Sequence, residues 1–340
     1  MALEAQTWGD LLQRRSSHLF VGREQEQETF RLNFIYAVPK YLLFAIHGEP
    51  GVGKSALMAR FRRITQEHDG LTAWVNSTQL GATPRETRLR TMRAIARQFA
   101  RVDMPLLPFE DGYAEYETAL ESVAADAAPP IPHLNLVHTL TSEADAPDAA
   151  WRTYVAEKFS NPNLRALIET PVQALSRPFV EALNFRAPTR PLLLCFDDWE
   201  QTGAHLSDWL LELLAGGKLH VNVWIALAGE TPLEAIWEPL RPVVATMPLA
   251  PLTEEETRRY ARAKSITEAS RLSDIWTFSK GLPIWLQVLT SVQRGHGGDL
   301  ALGPVERYLK WMDVPHRSEI VLRCAAARRL DAEIAAAAIR

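Results

Sequence analysis

The chain has 340 residues, 47% of them hydrophobic, with 41 acidic against 37 basic side chains and a net charge of −4. That length supports two or three domains with a sizeable core, no apolar run is long enough to cross a bilayer, and the charge balance gives the chain no overall bias toward nucleic acid. Its only cysteines, Cys195 and Cys324, argue against a disulfide framework or a cysteine-built metal site and suggest a reducing, cytoplasmic setting, and the mixed polar stretch 1–15 is not a secretory signal.

Residues 1–19 read as a short helical lead-in. Phe20-Val21-Gly22-Arg23-Glu24 opens a helix predicted to run to about Ala37 and to stop at Pro39. Tyr41 to Ile46 is a short apolar run, the mark of a buried strand. Gly48-Glu49-Pro50-Gly51-Val52-Gly53-Lys54-Ser55 follows and fits G-x-x-x-x-G-K-[ST], the phosphate-binding P-loop. Ala56 to Phe61 continues as a helix, so strand, Gly-rich loop and helix stand in the order the chemistry needs. The glycines let the loop wrap a phosphate without a Cβ clash, and loop amides and the helix N-terminus face the anion. In that reading Lys54 reaches the β- and γ-phosphates and the Ser55 hydroxyl ligates Mg²⁺. The competing reading is a Gly-rich turn before a helix, which the flanking strand and helix disfavour.

Thr72 to Asn76 reads as a second strand. Thr83-Pro84 starts a helix, with proline at its first position, that runs to about Val102 and repeats apolar residues at Leu89, Met92, Ile95, Ala96 and Phe99. Arg85, Arg88, Arg90, Arg93, Arg97 and Arg101 lie on this helix, whereas 103–150 holds neither lysine nor arginine. Such a helix beside an acidic segment suits nucleic acid or a partner, but a solvated helix face followed by a loop-rich insertion is the simpler expectation. Breakers fall at 128–132 and 144–148. Trp151 to Phe185 is helical again, with interruptions expected near Pro162, Pro171 and Pro178.

Pro191 to Phe196 is a continuous apolar run ending in Asp197-Asp198, as in strands buried on both faces of a parallel sheet. Leu206 to Leu214 is helical, Val221 to Ala228 a further buried strand, and Val243 to Leu249 a last one. Strands alternating with helices predict a parallel α/β sheet. After Leu252 the pattern is helical, opening on Thr253-Glu254-Glu255-Glu256, a cap with acids in its first turn. Helices are expected through Ala263, over Leu272–Phe278, over Pro283–Val292 and from about Val305, with a break at 295–298.

The apolar strand ending in acids completes the phosphate site. Ligands of open α/β sheets bind at the carboxyl ends of strands. Asp197 would hold Mg²⁺ opposite Ser55, and Asp198 or Glu200 would polarise the attacking water. Apolar-then-Asp is common by itself; downstream of a P-loop it gains weight.

With both motifs placed, residues 18–330 resemble a STAND-class P-loop ATPase, the class of the NB-ARC and NACHT switch proteins. Phe20 to Glu24 resembles the family's "hVGRE" segment, which lies against the adenine, and Leu249 to Glu256 the segment joining the sheet to a small helical domain. Ser279-Lys280-Gly281-Leu282-Pro283-Ile284 resembles the G-x-P motif, whose proline packs on the adenine. The resemblance implies a P-loop NTPase sheet domain over 1–252 with an insertion at about 103–190, a helical lid domain over 253–300, and the start of a winged-helix domain over 301–340. It implies ATP or ADP with Mg²⁺ as cofactors. The nucleotide contacts would be Val21, Gly22, Arg23, Gly48, Pro50, Gly51, Val52, Gly53, Lys54, Ser55, Ala56 and Pro283.

Three features depart from the family pattern. Relatives often carry a polar or arginine sensor after the strand following the acids, where this chain has Ala228-Gly229-Glu230, so either turnover should be slow or another residue should serve, with Arg241 as a candidate. The 103–190 segment matches no family motif. Family members usually continue through the winged helix into repeats or an effector domain, so the expectation is an ATPase module or a fragment of something larger.

The leading expectation is an ATP/ADP switch whose slow Mg²⁺-dependent hydrolysis gates closure and self-association. The resemblance adds signalling, including antiphage defence, triggered by a ligand or partner protein. The alternative is a DNA-associated AAA+ ATPase resembling the origin-recognition and archaeal groups, with Arg323, Arg328 and Arg329 as its basic cluster. A third reading, a scaffold that keeps nucleotide for stability, is disfavoured by the intact Lys54, Ser55 and Asp197.

Overall fold

The structure, a computed structural model, describes residues 20–125 and 149–291. The expected lead-in helix, the 128–132 and 144–148 breakers, the 295–298 break, the winged-helix opening and its basic cluster lie outside the described residues. The chain divides after Ala250 into two compact units.

The first unit is built on five parallel strands: β1 (Leu43–His47), β2 (Leu71–Val75), β3 (Leu192–Phe196), β4 (Val223–Gly229) and β5 (Val244–Pro248). Their spatial order is β2-β3-β4-β1-β5, so β4 separates the strand before the P-loop from the strand ending in Asp197. All five residues of β3 are buried, because both faces of the sheet are covered. Leu192, Leu194 and Phe196 join a core with helices α3 (Pro84–Ala100), α4 (Leu107–Ala124), α7 (Pro171–Arg186) and α8 (Trp199–Ala215). The alternate residues point to the opposite face, where α1 (Glu24–Arg31) and α2 (Lys54–Glu67) pack. Phe30 of α1 stacks on Phe61 of α2, centroids 4.2 Å apart, and meets Phe44 and Trp224 edge-on. Removing one such buried ring costs about 3–5 kcal/mol.

Several boundaries differ from the sequence expectation. Helix α1 does not reach Ala37. It gives way to a 3₁₀ turn, Leu32–Phe34, because the buried Asn33 side chain bonds both backbone groups of Tyr41 and turns the chain back into β1. The stretch after Asp103 is not simply loop-rich: α4 is an 18-residue helix. Phe109, Tyr116, Ala119 and Val123 form its buried stripe, spaced as one helical face requires. Pro178 does not interrupt α7, which continues through it. Only the bond to the Ala174 carbonyl is forfeited there. Helix α8 starts at Trp199 rather than Leu206. Between α4 and α7 lie α5 (Ala149–Lys158) and α6 (Pro162–Glu169).

In the second unit α9 (Glu254–Ala263), α10 (Ala269–Ser279) and α11 (Pro283–Ser291) enclose a small core of Leu252, Ala261, Ile266, Leu272, Ile275 and Leu286. Thr253 and Glu256 form a reciprocal capping box. Lys280 and Gly281 both take left-handed backbone. A Cβ on Gly281 would stand 2.0 Å from the Leu252 carbonyl oxygen, so only glycine fits this crossing.

Candidate functional site

The carboxyl ends of β1 and β3 gather the groups singled out in the sequence. The loop from Gly48 to Gly53 leaves β1 and enters α2 at Lys54. Gly48 has φ 155°, and a Cβ there would lie 2.5 Å from the Leu249 backbone oxygen. Gly51 and Gly53 also take positive φ. Val52 is fully buried and anchors the loop in the core. Its carbonyl accepts from the Arg23 guanidinium at 3.2 Å, and the same guanidinium bonds the Ala250 carbonyl. Arg23, in left-handed backbone beside Gly22, thus ties the Val21–Arg23 turn to the loop. The Lys54 ammonium donates to the Gly48 and Glu49 carbonyls at 2.7 and 3.1 Å.

Ser55 and Asp197 are 142 residues apart in sequence, yet the Ser55 hydroxyl donates to Asp197 Oδ1 at 3.1 Å. Asp198 follows in left-handed backbone, φ 54°, and its carboxylate turns to the loop after β2. There Oδ2 accepts from the Ser77 hydroxyl at 2.8 Å and from the Ser77 amide at 3.3 Å. Ser77 was not singled out in the sequence; the Asn76-x-x-Gln79 capping box that shapes its turn was the available signal. Glu200 stands in the first turn of α8, which packs so close to β4 that a Cβ on Gly229 would meet Trp199 at 3.1 Å.

Charge is concentrated around Lys54. Burial pulls its ammonium below the ordinary lysine value, opposed by four carboxylates: Glu200 first, then Glu230, Asp197 and Asp198. Burial raises the Asp197 carboxyl, against the bond from Ser55. Burial also raises Glu200, helped by Glu230 and Asp198. His47, at the end of β1, is lowered by burial and then by Lys54. Exposed Ser55 and Ala56 open α2. Pro283 begins α11 of the second unit.

Arg241 does not serve this site. It precedes β5, whose register pairs Leu43 with Val244 and His47 with Pro248. It therefore sits at the amino ends of the strands, a strand length of roughly 16 Å from the loop. There it is exposed and paired with Glu238 at 2.7 Å.

These residues fit a nucleotide with a divalent cation. Positive-φ glycines and a lysine suit a phosphate chain, and the hard oxygens of Ser55 and Asp197 suit Mg²⁺. Among the described residues no group of three or more His, Cys, Asp or Glu makes a metal cluster of its own.

Residues 19–225 match the family model described as AAA ATPase domain. No curated protein matches the chain. Among solved structures, the chain is similar to a signal transduction ATPase with numerous domains (STAND) protein with a tetratricopeptide repeat sensor from Pyrococcus horikoshii. The identity is 14%, covering 92% of this chain and 36% of that one, with a TM-score of 0.40. It is similar to Cdc6p from Pyrobaculum aerophilum at 13% identity, covering 95% and 82%, with a TM-score of 0.43. It is also similar to the ORC1 protein of Aeropyrum pernix, solved with DNA, at 11% identity, covering 95% and 75%, with a TM-score of 0.41. The chain spans only 36% of the length of the first of these.

Proposed function

We propose that this chain, which belongs to the AAA ATPase domain family, is a Mg²⁺-dependent ATP/ADP switch with slow turnover. The observation that carries the reading is the bond between Ser55 and Asp197 across the carboxyl ends of the sheet. It sets two hard oxygen donors beside a lysine-bearing, glycine-rich loop. Mg²⁺, when bound by these two residues, would neutralise phosphate charge. Lys54 holds the phosphate chain, and the loop amides orient it.

Glu200 is the residue we assign to polarise the attacking water. Its carboxylate stands near Lys54 in the first turn of α8, where it can act on water at the phosphate chain. Asp198 is instead held by Ser77. Slow turnover follows from Glu230 at the end of β4, where an arginine would stabilise γ-phosphate charge and a glutamate cannot. The helical second unit is the element we assign as the lid. Closure can respond to nucleotide only through different affinities in the two states. Self-association and a signalling role of the STAND kind, phage defence included, are part of this reading.

Mass spectrometry of nucleotide released from denatured protein tests it. Wild type should carry ADP or ATP and release phosphate slowly, and Lys54→Ala should carry neither. Equal nucleotide in both proteins would refute the assignment.

A further inference from the structure

The arginine-rich helix has two distinct faces. Arg85 reaches the Ile168 carbonyl at 3.0 Å, and Arg88 reaches the His205 carbonyl at 3.0 Å. These two are staples that fasten α3 to α6 and α8. Arg90, Arg93 and Arg97 recur at i, i+3 and i+7, on the opposite side of the helix. Arg90 and Arg97 are exposed and Arg93 is half-buried. They line a concavity of about 430 Å³ between α3 and α4, together with Gln79, Tyr113 and Tyr116.

Two of the three arginines are held by partners within the protein. The Arg93 guanidinium forks onto the Glu117 carboxylate, its second bond 2.8 Å long, and lies 4.6 Å from the centre of the Tyr113 ring. Arg90 pairs with Glu86 and donates to the Leu80 carbonyl at 2.8 Å. Arg97 is exposed and makes no ion pair among the described residues. The guanidiniums of Arg90, Arg93 and Arg97 outnumber the carboxylates of Glu86 and Glu117 and leave the concavity positive. Guanidinium planes and tyrosine rings accept flat groups by stacking and phosphate by paired N–H bonds. The volume suits a molecule of mononucleotide size.

One wall leads to the phosphate site. Thr78 and Gln79 line the concavity, and both belong to the single 3₁₀ turn Ser77–Gln79, locked by the Asn76 capping box. Ser77, in the same turn, donates twice to Asp198. Arg90 holds the next residue, Leu80.

We propose that the concavity between α3 and α4 is a second ligand site for a small phosphorylated molecule bearing a flat ring, and that its occupancy is relayed to Asp198 through the Ser77–Gln79 turn. The relay rests on the ATPase reading above; the site does not.

The two are separated by using adenosine monophosphate as probe on the full chain carrying Lys54→Ala. Calorimetry should detect its binding there, and Arg97→Ala, an exposed and foldable change, should weaken it about tenfold, one charge-assisted contact's worth. Inorganic phosphate alone should bind more weakly, by the loss of stacking. In protein with intact Lys54, the probe should change the rate of ATP turnover. Ser77→Ala should abolish that change while leaving the probe's affinity at the concavity within twofold. Probe binding that Arg97→Ala leaves untouched, or no binding at millimolar probe, would overturn the site. Tight binding of single-stranded oligonucleotides, lost in Arg97→Ala with none for the mononucleotide, would also overturn it, in favour of a nucleic-acid face. A turnover response that survives Ser77→Ala would overturn the relay alone.

Discussion

The molecule handles negative charge in two different ways about one turn of chain apart. At the end of β1 the anion cradle is mostly backbone: positive-φ glycines, helix amides and one lysine hemmed by four carboxylates. Between α3 and α4 it is all side chain: Arg90 and Arg93 propped by glutamates, Arg93 also by Tyr113, and an exposed Arg97. Backbone geometry is fixed once the fold forms, so the first site discriminates by shape. Long side chains can re-pair, so the second can exchange Glu86 or Glu117 for a ligand. A fixed site suits chemistry on one substrate, and an adjustable one suits sensing.

The largest effect should come from the chemistry that only the first region carries. Glu200→Gln is expected to lower the single-turnover rate of phosphate release by about 10²–10⁴-fold while ATP binding persists. Asp198→Asn should cost less, because the amide can still accept from Ser77 through its oxygen. The reverse ranking would move the base to Asp198 and remove the distinction between a working acid and a held one.

Next in size is the binding contrast. Lys54→Ala deletes a charge-assisted contact worth about 1.5–3 kcal/mol, so equilibrium dialysis should show nucleotide affinity falling by at least tenfold. Gly48→Ala strikes the same site through the backbone alone. Its Cβ would meet the Leu249 carbonyl, and relieving that contact should cost about 1–3 kcal/mol, read as a lower unfolding midpoint together with weaker nucleotide binding. Neither change should alter binding at the arginine-lined concavity. If Gly48→Ala emptied both sites equally, the two would be one cooperative unit and the contrast would be wrong.

The contrast also explains what could be read in the sequence. The P-loop was legible because its chemistry needs glycine at fixed spacing, and few other structures demand that pattern. Strands β1, β3 and β4 were legible because burial on both faces leaves unbroken apolar runs such as Leu192 to Phe196. Helix α4 was obscured by Pro105, Pro108 and Gly112. Pro108 lies within its first turn, where proline is tolerated. Gly112 lies inside the helix where a Cβ would meet only Leu175, at 3.3 Å. The arginines of α3 were visible, but their division into staples and a pocket wall was not. That depends on which tertiary neighbour each meets, Ile168, His205 or Tyr113, and these come from elements far along the chain. Ser77 was missed for the same reason, since its partner Asp198 lies 121 residues away. Arg241 was misplaced because spacing after a strand does not show at which end of the sheet a residue falls.

The smallest effect is on stability and gives the sharpest view of the first region's cost. Burial raises both Asp197 and Glu200 above their ordinary values, 3.8 and 4.5. The folded chain therefore holds these protons more tightly than the unfolded chain, so its stability falls as pH rises. The contribution is fully present below the ordinary values and is lost as pH climbs through the raised ones, a window opening near pH 4.5 for Glu200. Glu200→Gln removes one of the two titrations, so its unfolding free energy should decline less steeply than wild type above that pH. Urea unfolding at a series of pH values, without nucleotide or Mg²⁺, measures the two slopes. Identical slopes would mean that Glu200 carries no burial penalty in the folded chain.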